Sequence, residues 1–192
     1  MSTTTLPAEQ VTPAQPGRDA LLRATVTVVA KGGLRALTYR AIAAEAGVSH
    51  SLVRYHFGSR DQLIAQALDY SIDQSLEASS MRQPSASYRD FAAGLETLAR
   101  REEDIHAFQY ELLLESRRRP ELRPHVDRYY ETYREAISAQ LAHLGLHQAG
   151  LAETIWFALD GMVFQQLVAP GEIEPALHYL RQIIKSAAQL ET

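Results

Sequence analysis

The break Gly47-Val48-Ser49 narrows the possible folds of this chain more than any other short stretch. On its N-terminal side Thr38 is suited to cap a short helix that turns Ile42, Ala43 and Ala46 inward. On its C-terminal side Ser49 or His50 opens a second short helix, which runs to about Phe57 and stops at Gly58. Gly47 stands where the chain takes a left-handed turn without a Cβ penalty. Ala43 is small because two helices crossing steeply need close approach. Val48 and Val53 plug the angle between them. Two short helices joined in this way form a helix-turn-helix. The outer face of the second helix is left with His50, Ser51, Arg54 and Tyr55, all hydrogen-bond donors and none acidic. A major groove walled by phosphates suits such an inventory.

The rest of the chain reads as helical too. Gly and Pro fall between segments, and no stretch alternates as a strand would. A first helix is expected over residues 18–31, with Leu21, Leu22, Thr25, Val28 and Val29 at helical spacing and Gly32-Gly33 as its stop. Ser59 and Gln62 have the spacing of a capping box at the start of a long fourth helix. Further helices are expected over residues 86–101, 104–118, from 121 or 124 to 144, across the apolar run 150–171, and over 172–191. The fold class is therefore all-α: an N-terminal three-helix helix-turn-helix domain followed by a C-terminal helical bundle. The expected division is an arm over residues 1–17, rich in Thr, Pro and Gln, a head over 18–60, and a body over 61–192.

Charge divides the chain at the same place. Residues 18–60 carry +5, residues 61–192 carry −8, and the whole chain carries −4. A basic head on an acidic body points either to a polyanion partner for the head alone or to a solvated basic face. With no cysteine, disulfides, thiolate metal sites and cysteine nucleophiles are excluded. No apolar run reaches transmembrane length. The first residues lack the charged start and apolar centre of a signal peptide, so the chain is expected to be cytoplasmic and away from membranes.

The run "GRDALLRATVTVVAKGGLRALTYRAIAAEAGVSHSLVRYHFGSRDQLIAQAL" resembles the N-terminal part of TetR-family (tetracycline-repressor-like) transcriptional regulators. The likeness lies in the helix-one pattern ending in Gly, the Thr before helix two, the "IAAEAGVS" core and the "YHFGSRDQL" exit. It implies a homodimer on a near-palindromic double-stranded DNA operator, released when a small-molecule effector enters the C-terminal domain. It also implies roles. Thr38 and Tyr39 would meet phosphates, and Arg40 would reach the groove edge. Ser49, His50 and Ser51 would lead the recognition helix into the groove, alongside Arg54. Tyr55 and His56 would hold the backbone, and Arg60 would add a phosphate contact. The family often has Tyr where this chain has Arg54, followed by His where it has Tyr55. Other readings stand beside these: His56 as a satisfied buried histidine, Ser49 as a helix cap, and Leu52 as packing or a thymine-methyl contact.

In the body, aromatics and Met are most simply bundle core. A ligand cavity would take apolar walls from Phe91, Phe108, Trp156 and Phe164, and polar anchors from Glu111, Glu115 and Asp160, with Gln109 and Gln165 as further candidates. The last two helices are the expected dimer surface, through Leu159, Val163 and Gln166 on one and Leu177, Leu180, Ile184 and Ala187 on the other. Intrachain packing would use the same stripes. Glu103-x-x-His106 has di-iron spacing, but no second such pair follows, so neither metal nor cofactor is expected. There is no nucleophile motif and no phosphate loop, and the chain is not expected to be an enzyme. The competing readings are a protein-interaction module with an idle helix-turn-helix and a metal-dependent helical enzyme.

Overall fold

A computed structural model describes residues 17–83 and 85–190, and nine α-helices carry the described residues. The arm expected over residues 1–17 lies, but for Gly17, outside them. Helix α1 (Arg18–Gly32) has Asp19 in its first turn and Lys31 in its last, each complementing the helix dipole. Leu21, Leu22, Val26 and Val29 are buried, and buried Thr25 turns its hydroxyl back onto the Leu21 carbonyl at 2.8 Å. After a 3₁₀ turn at Leu34–Ala36 come α2 (Tyr39–Ala46) and α3 (His50–Phe57). Thr38 Oγ1 accepts from the Ala41 amide at 3.1 Å, the expected cap. Gly47 is left-handed at φ 68°, ψ 33°. Ile42, Ala43, Val53 and Phe57 close the core of the head against α1.

Helix α4 (Arg60–Ala78) leaves the head and packs on both α1 and α7 (Arg123–His143). Ser59 caps it by accepting from the Gln62 amide at 3.2 Å. The other half of the capping box is absent, because the Ser59 amide donates to the Phe57 carbonyl instead, at 2.7 Å. The helix expected over 86–101 is much shorter. After a 3₁₀ turn at Tyr88–Asp90, α5 is only Leu95–Arg101. Ser85 and Ser87 divert their hydroxyls to Asp90 and to the Arg89 amide, a local alternative to helix. Gly94, at φ 86°, then lies so close to the Ala78 carbonyl that a side chain there would collide with it.

Helix α6 (Glu103–Glu115) crosses α1, and α8 (Leu151–Val168) packs on α5, α6, α7 and α9 (Glu174–Leu190). The stripe expected to form the dimer surface is turned inward. Leu159, Val163, Gln166, Leu177, Leu180 and Ile184 are buried within the subunit, and Ala187 is half-buried. One subunit has to cover the inner faces of these two helices before it can offer anything to a second copy. The opposite faces remain open, with Phe157, Phe164 and Val168 on α8 and Tyr179 and Ile183 on α9 exposed.

Candidate nucleic-acid interface and ligand cavity

The head presents α3 and the start of α2 on one side. Arg40, Ser49, His50, Ser51, Arg54 and Tyr55 are all exposed, and Tyr55 is 84% accessible. Val53 and Phe57, on the other side of α3, anchor it in the core. Ser49 takes the N-cap position without capping, and its hydroxyl lies 3.0 Å from that of Ser51. Both hydroxyls therefore stay at the surface. Glu45 is held by Lys31 at 3.5 Å, so the acid of α2 is partly neutralised. Tyr39 donates its hydroxyl to the Gly58 carbonyl at 3.0 Å and ties the start of α2 to the α3–α4 turn. His56 is half-buried, with its ring between those of Tyr55 and Phe57. Leu52 is half-buried as well.

Arg60 is placed otherwise than expected. Its guanidinium donates to the Leu34 carbonyl at 2.8 Å, and burial pulls its pKa down, helped by nearby Arg119. A side chain at the head of α4 lies beside the 3₁₀ turn, so this carbonyl is nearer to hand than an outside phosphate. Here the guanidinium clamps the turn.

The body holds a cavity of about 40 Å³ between α4, α5, α6, α7 and α8. That is room for a few water molecules. Its walls are mostly apolar and aromatic. Trp156 stacks on Tyr133 with centroids 4.7 Å apart and meets Tyr129 edge-on at 5.7 Å. Gln109 donates to Ser71 and to the Tyr133 hydroxyl, both at 3.1 Å. Tyr110 donates to Asp160 Oδ1 at 2.8 Å. Burial raises the Asp160 pKa, and the Tyr110 bond partly opposes it. Burial also pushes Tyr133 up to about 12 and His106 down to about 4, so the histidine is neutral near pH 7.

Among the described residues, three buried atoms are left without a hydrogen-bond partner: Ser75 Oγ, His106 Nε2 and Trp156 Nε1. All three residues line this cavity. Ser75 has the Tyr133 hydroxyl as a neighbour but makes no well-formed bond to it. Native proteins leave few such groups unpaired, and clusters of them call for an explanation.

Of the residues expected at a ligand site, Gln109, Trp156 and Asp160 line the cavity. The others do not. Phe91 and Phe108 are fully buried core. Glu111 accepts from the Leu34 amide at 3.0 Å and so joins α6 to the head. Glu115 pairs with Arg118 at 3.1 Å. Phe164 lies on the outer face of α8, edge-on to Tyr110. Sequence reasoning placed Tyr110, Tyr129 and Tyr133 among the core aromatics and considered His106 only for metal. In fact Glu103 is exposed while His106 is buried. The available signal was Tyr129 and Tyr133 at i, i+4, together with a histidine and a glutamine on the otherwise apolar buried face of α6.

Residues 86–189 match the Tetracyclin repressor-like C-terminal domain, and residues 21–67 match the tetR family of bacterial regulatory proteins. The HTH-type transcriptional repressor Rv3405c of Mycobacterium tuberculosis is 39% identical over 71 residues, 35% of this chain and 38% of that protein. The matched stretch thus spans well under half of that relative. A TetR-family transcriptional regulator from Rhodococcus sp. superposes with a TM-score of 0.72 at 25% identity, covering 89% of this chain and 97% of that one. The multidrug binding protein EbrR, complexed with imidazole, superposes with a TM-score of 0.60 at 26% identity, covering 95% and 97%. The C-terminal match spans more than half of the sequence, the N-terminal match covers the helix-turn-helix, and the chain belongs to the TetR family.

Proposed function

We propose that the protein is a homodimeric DNA-binding repressor that a small molecule releases from its operator. The observation that carries this is the face of α3, where His50, Ser51, Arg54 and Tyr55 project without an acidic neighbour on their helix. Residues 18–60 act as the reading head and 61–192 as the sensing body. Thr38 and Tyr39 meet phosphates at the start of α2, where free amides favour anions. Arg40 and Arg54 reach base edges, and Ser49, His50 and Ser51 enter the groove first. Tyr55 and His56 lie along the backbone. Arg60 acts from behind, by fixing the turn before α2.

The dimer forms through the open faces of α8 and α9. Phe157, Gly161, Phe164 and Val168 follow one another at helical spacing, and Gly161 has open space where a Cβ would stand. Two heads held in this way meet half-sites about 34–36 Å apart on a near-palindromic operator. The protein works in the cytoplasm, and among the described residues no helix is long and apolar enough to cross a membrane.

Release follows from what α6 touches. One side of it gives His106, Gln109 and Tyr110 to the cavity. The other side holds the head, with Asp104 accepting from Thr27 at 2.9 Å and Glu111 from the Leu34 amide. An occupant larger than a few waters has to widen the cavity. Widening shifts α6, and α6 carries α1 and the 3₁₀ turn with it. The two heads then lose their operator spacing. Fluorescence anisotropy with DNA from the flanks of the gene, at two salt concentrations beside a scrambled duplex, tests the first half of this reading. Binding to one fragment with a steep salt dependence is expected; equal weak binding to both duplexes would overturn it.

A further inference from the structure

We infer that the cavity takes a small uncharged ring compound bearing a hydroxyl, a phenol-type molecule that accepts from Trp156 Nε1 and donates to His106 Nε2. This rests on the reading of the cavity as the effector site and names the chemistry it selects.

The unpaired atoms set the polar requirement. An indole N–H can only donate, so Trp156 needs an acceptor. A neutral imidazole nitrogen can accept, and burial keeps His106 neutral. A hydroxyl carries both complementary functions, an acceptor oxygen for the indole and a donor O–H for the imidazole. The Ser75 hydroxyl can serve as either partner for a second polar group on the ring.

The walls set the rest. Leu95, Leu98, Ile137, Leu159 and Val163 are apolar, and the stacked pair Tyr133 and Trp156 offers flat surface to a ring. No Lys or Arg lines the cavity, so an organic anion would enter without a counter-charge and meet Asp160. A cation would have to rely on Asp160. That carboxylate already holds Tyr110 through Oδ1, and its burial disfavours the charged form.

Trp156 is the chain's only tryptophan, so the fluorescence reports on the surroundings of this one ring, which lines the cavity. The full-length protein is titrated with p-cresol and, as ring-matched controls, with toluene, benzoate and benzylamine. Operator anisotropy is read in the same samples. We expect a saturable fluorescence change with p-cresol, at least about tenfold tighter than with toluene, the difference one or two hydrogen bonds make. Calorimetry on Trp156→Phe and His106→Leu should show p-cresol weakened by about tenfold in each, with toluene unaffected. Equal affinity for toluene would overturn the hydroxyl requirement. Tighter binding of benzylamine or benzoate would overturn the neutral-ligand assignment. No response to any probe would mean a cavity satisfied by water, and would overturn the inference as a whole. The effector reading fails separately, if p-cresol binds as expected while operator affinity stays unchanged.

Discussion

The head and the body use polar groups in opposite ways. On the outer face of α3 they are exposed, where water satisfies them until something else does. Around the cavity they are shut in, and Ser75 Oγ, His106 Nε2 and Trp156 Nε1 have no well-formed hydrogen bond. Polar groups left in water cost a fold almost nothing, while buried unpaired ones cost about 1–3 kcal/mol each. Part of the body's stability is thereby given up to keep a cavity receptive, whereas the head can be stable and receptive together. Changes to the head's surface should then affect DNA binding with little effect on folding, and changes to the cavity should affect both.

The largest effect should come from the head's interior. Phe57 is 1% exposed and packs α3 onto the core. Phe57→Ala should cost about 3–5 kcal/mol in urea unfolding and abolish operator binding. If operator affinity survived that loss, α3 would not depend on its buried side for placement, and the contrast between the two faces of α3 would fail.

The cavity should show itself through pH. His106 has its pKa lowered from 6.5 to about 4 by burial. The unfolded chain therefore binds the proton more readily than the native one. Stability from the neutral ring is fully present above about pH 6.5 and is lost as pH falls toward 4, where the loss levels off, up to about 3 kcal/mol in all. His106→Leu should flatten this part of the stability profile. An unchanged profile in the variant would mean that the histidine is not held neutral by the cavity.

These two regions also differed in how legible they were. Thr38 as a cap, Gly47 as a left-handed turn and the buried Val53 and Phe57 are decided by residues within a few positions of each other, so the head could be read from its own stretch. The cavity depends on α4, α5, α6, α7 and α8 meeting, and its tyrosines carry no local mark that separates lining from core. Glu111 was misplaced for that reason: an acid among apolar neighbours suggested a ligand anchor, while its partner is the Leu34 amide, 77 positions away. The dimer stripe was misassigned by the same logic. The 3, 4, 7 rhythm in α8 and α9 identifies a face that must be buried, but does not say whether the subunit or its copy buries it. Ser85 and Ser87 broke an expected helix through local bonds to Asp90 and the Arg89 amide, and Gly94 added a close approach to the Ala78 carbonyl at the end of α4.

The link between the regions gives a smaller effect. Glu111→Ala removes the acceptor from the buried Leu34's amide. It should cost about 1–3 kcal/mol in thermal or urea unfolding. If α6 carries the cavity's state to the head, this variant should also respond less to any molecule that fills the cavity. An undiminished response would place the coupling elsewhere, with Asp104 and Thr27 as the next pair to test.

The smallest expected effect on folding is the most telling for the head. Arg54 is exposed on α3. Arg54→Ala should leave the unfolding free energy within about 0.5 kcal/mol of the parent, as surface changes usually do. Its operator affinity should nonetheless fall by about tenfold or more, corresponding to a direct base contact. The pattern of loss then decides the role. Weakening confined to operators altered at particular base pairs means that Arg54 reads sequence. Uniform weakening with a shallower salt slope means that it neutralises a phosphate. Because exposed Tyr55 stands next to Arg54 on α3, Tyr55→Phe measured beside it shows whether the neighbouring hydroxyl has taken the other of the two roles.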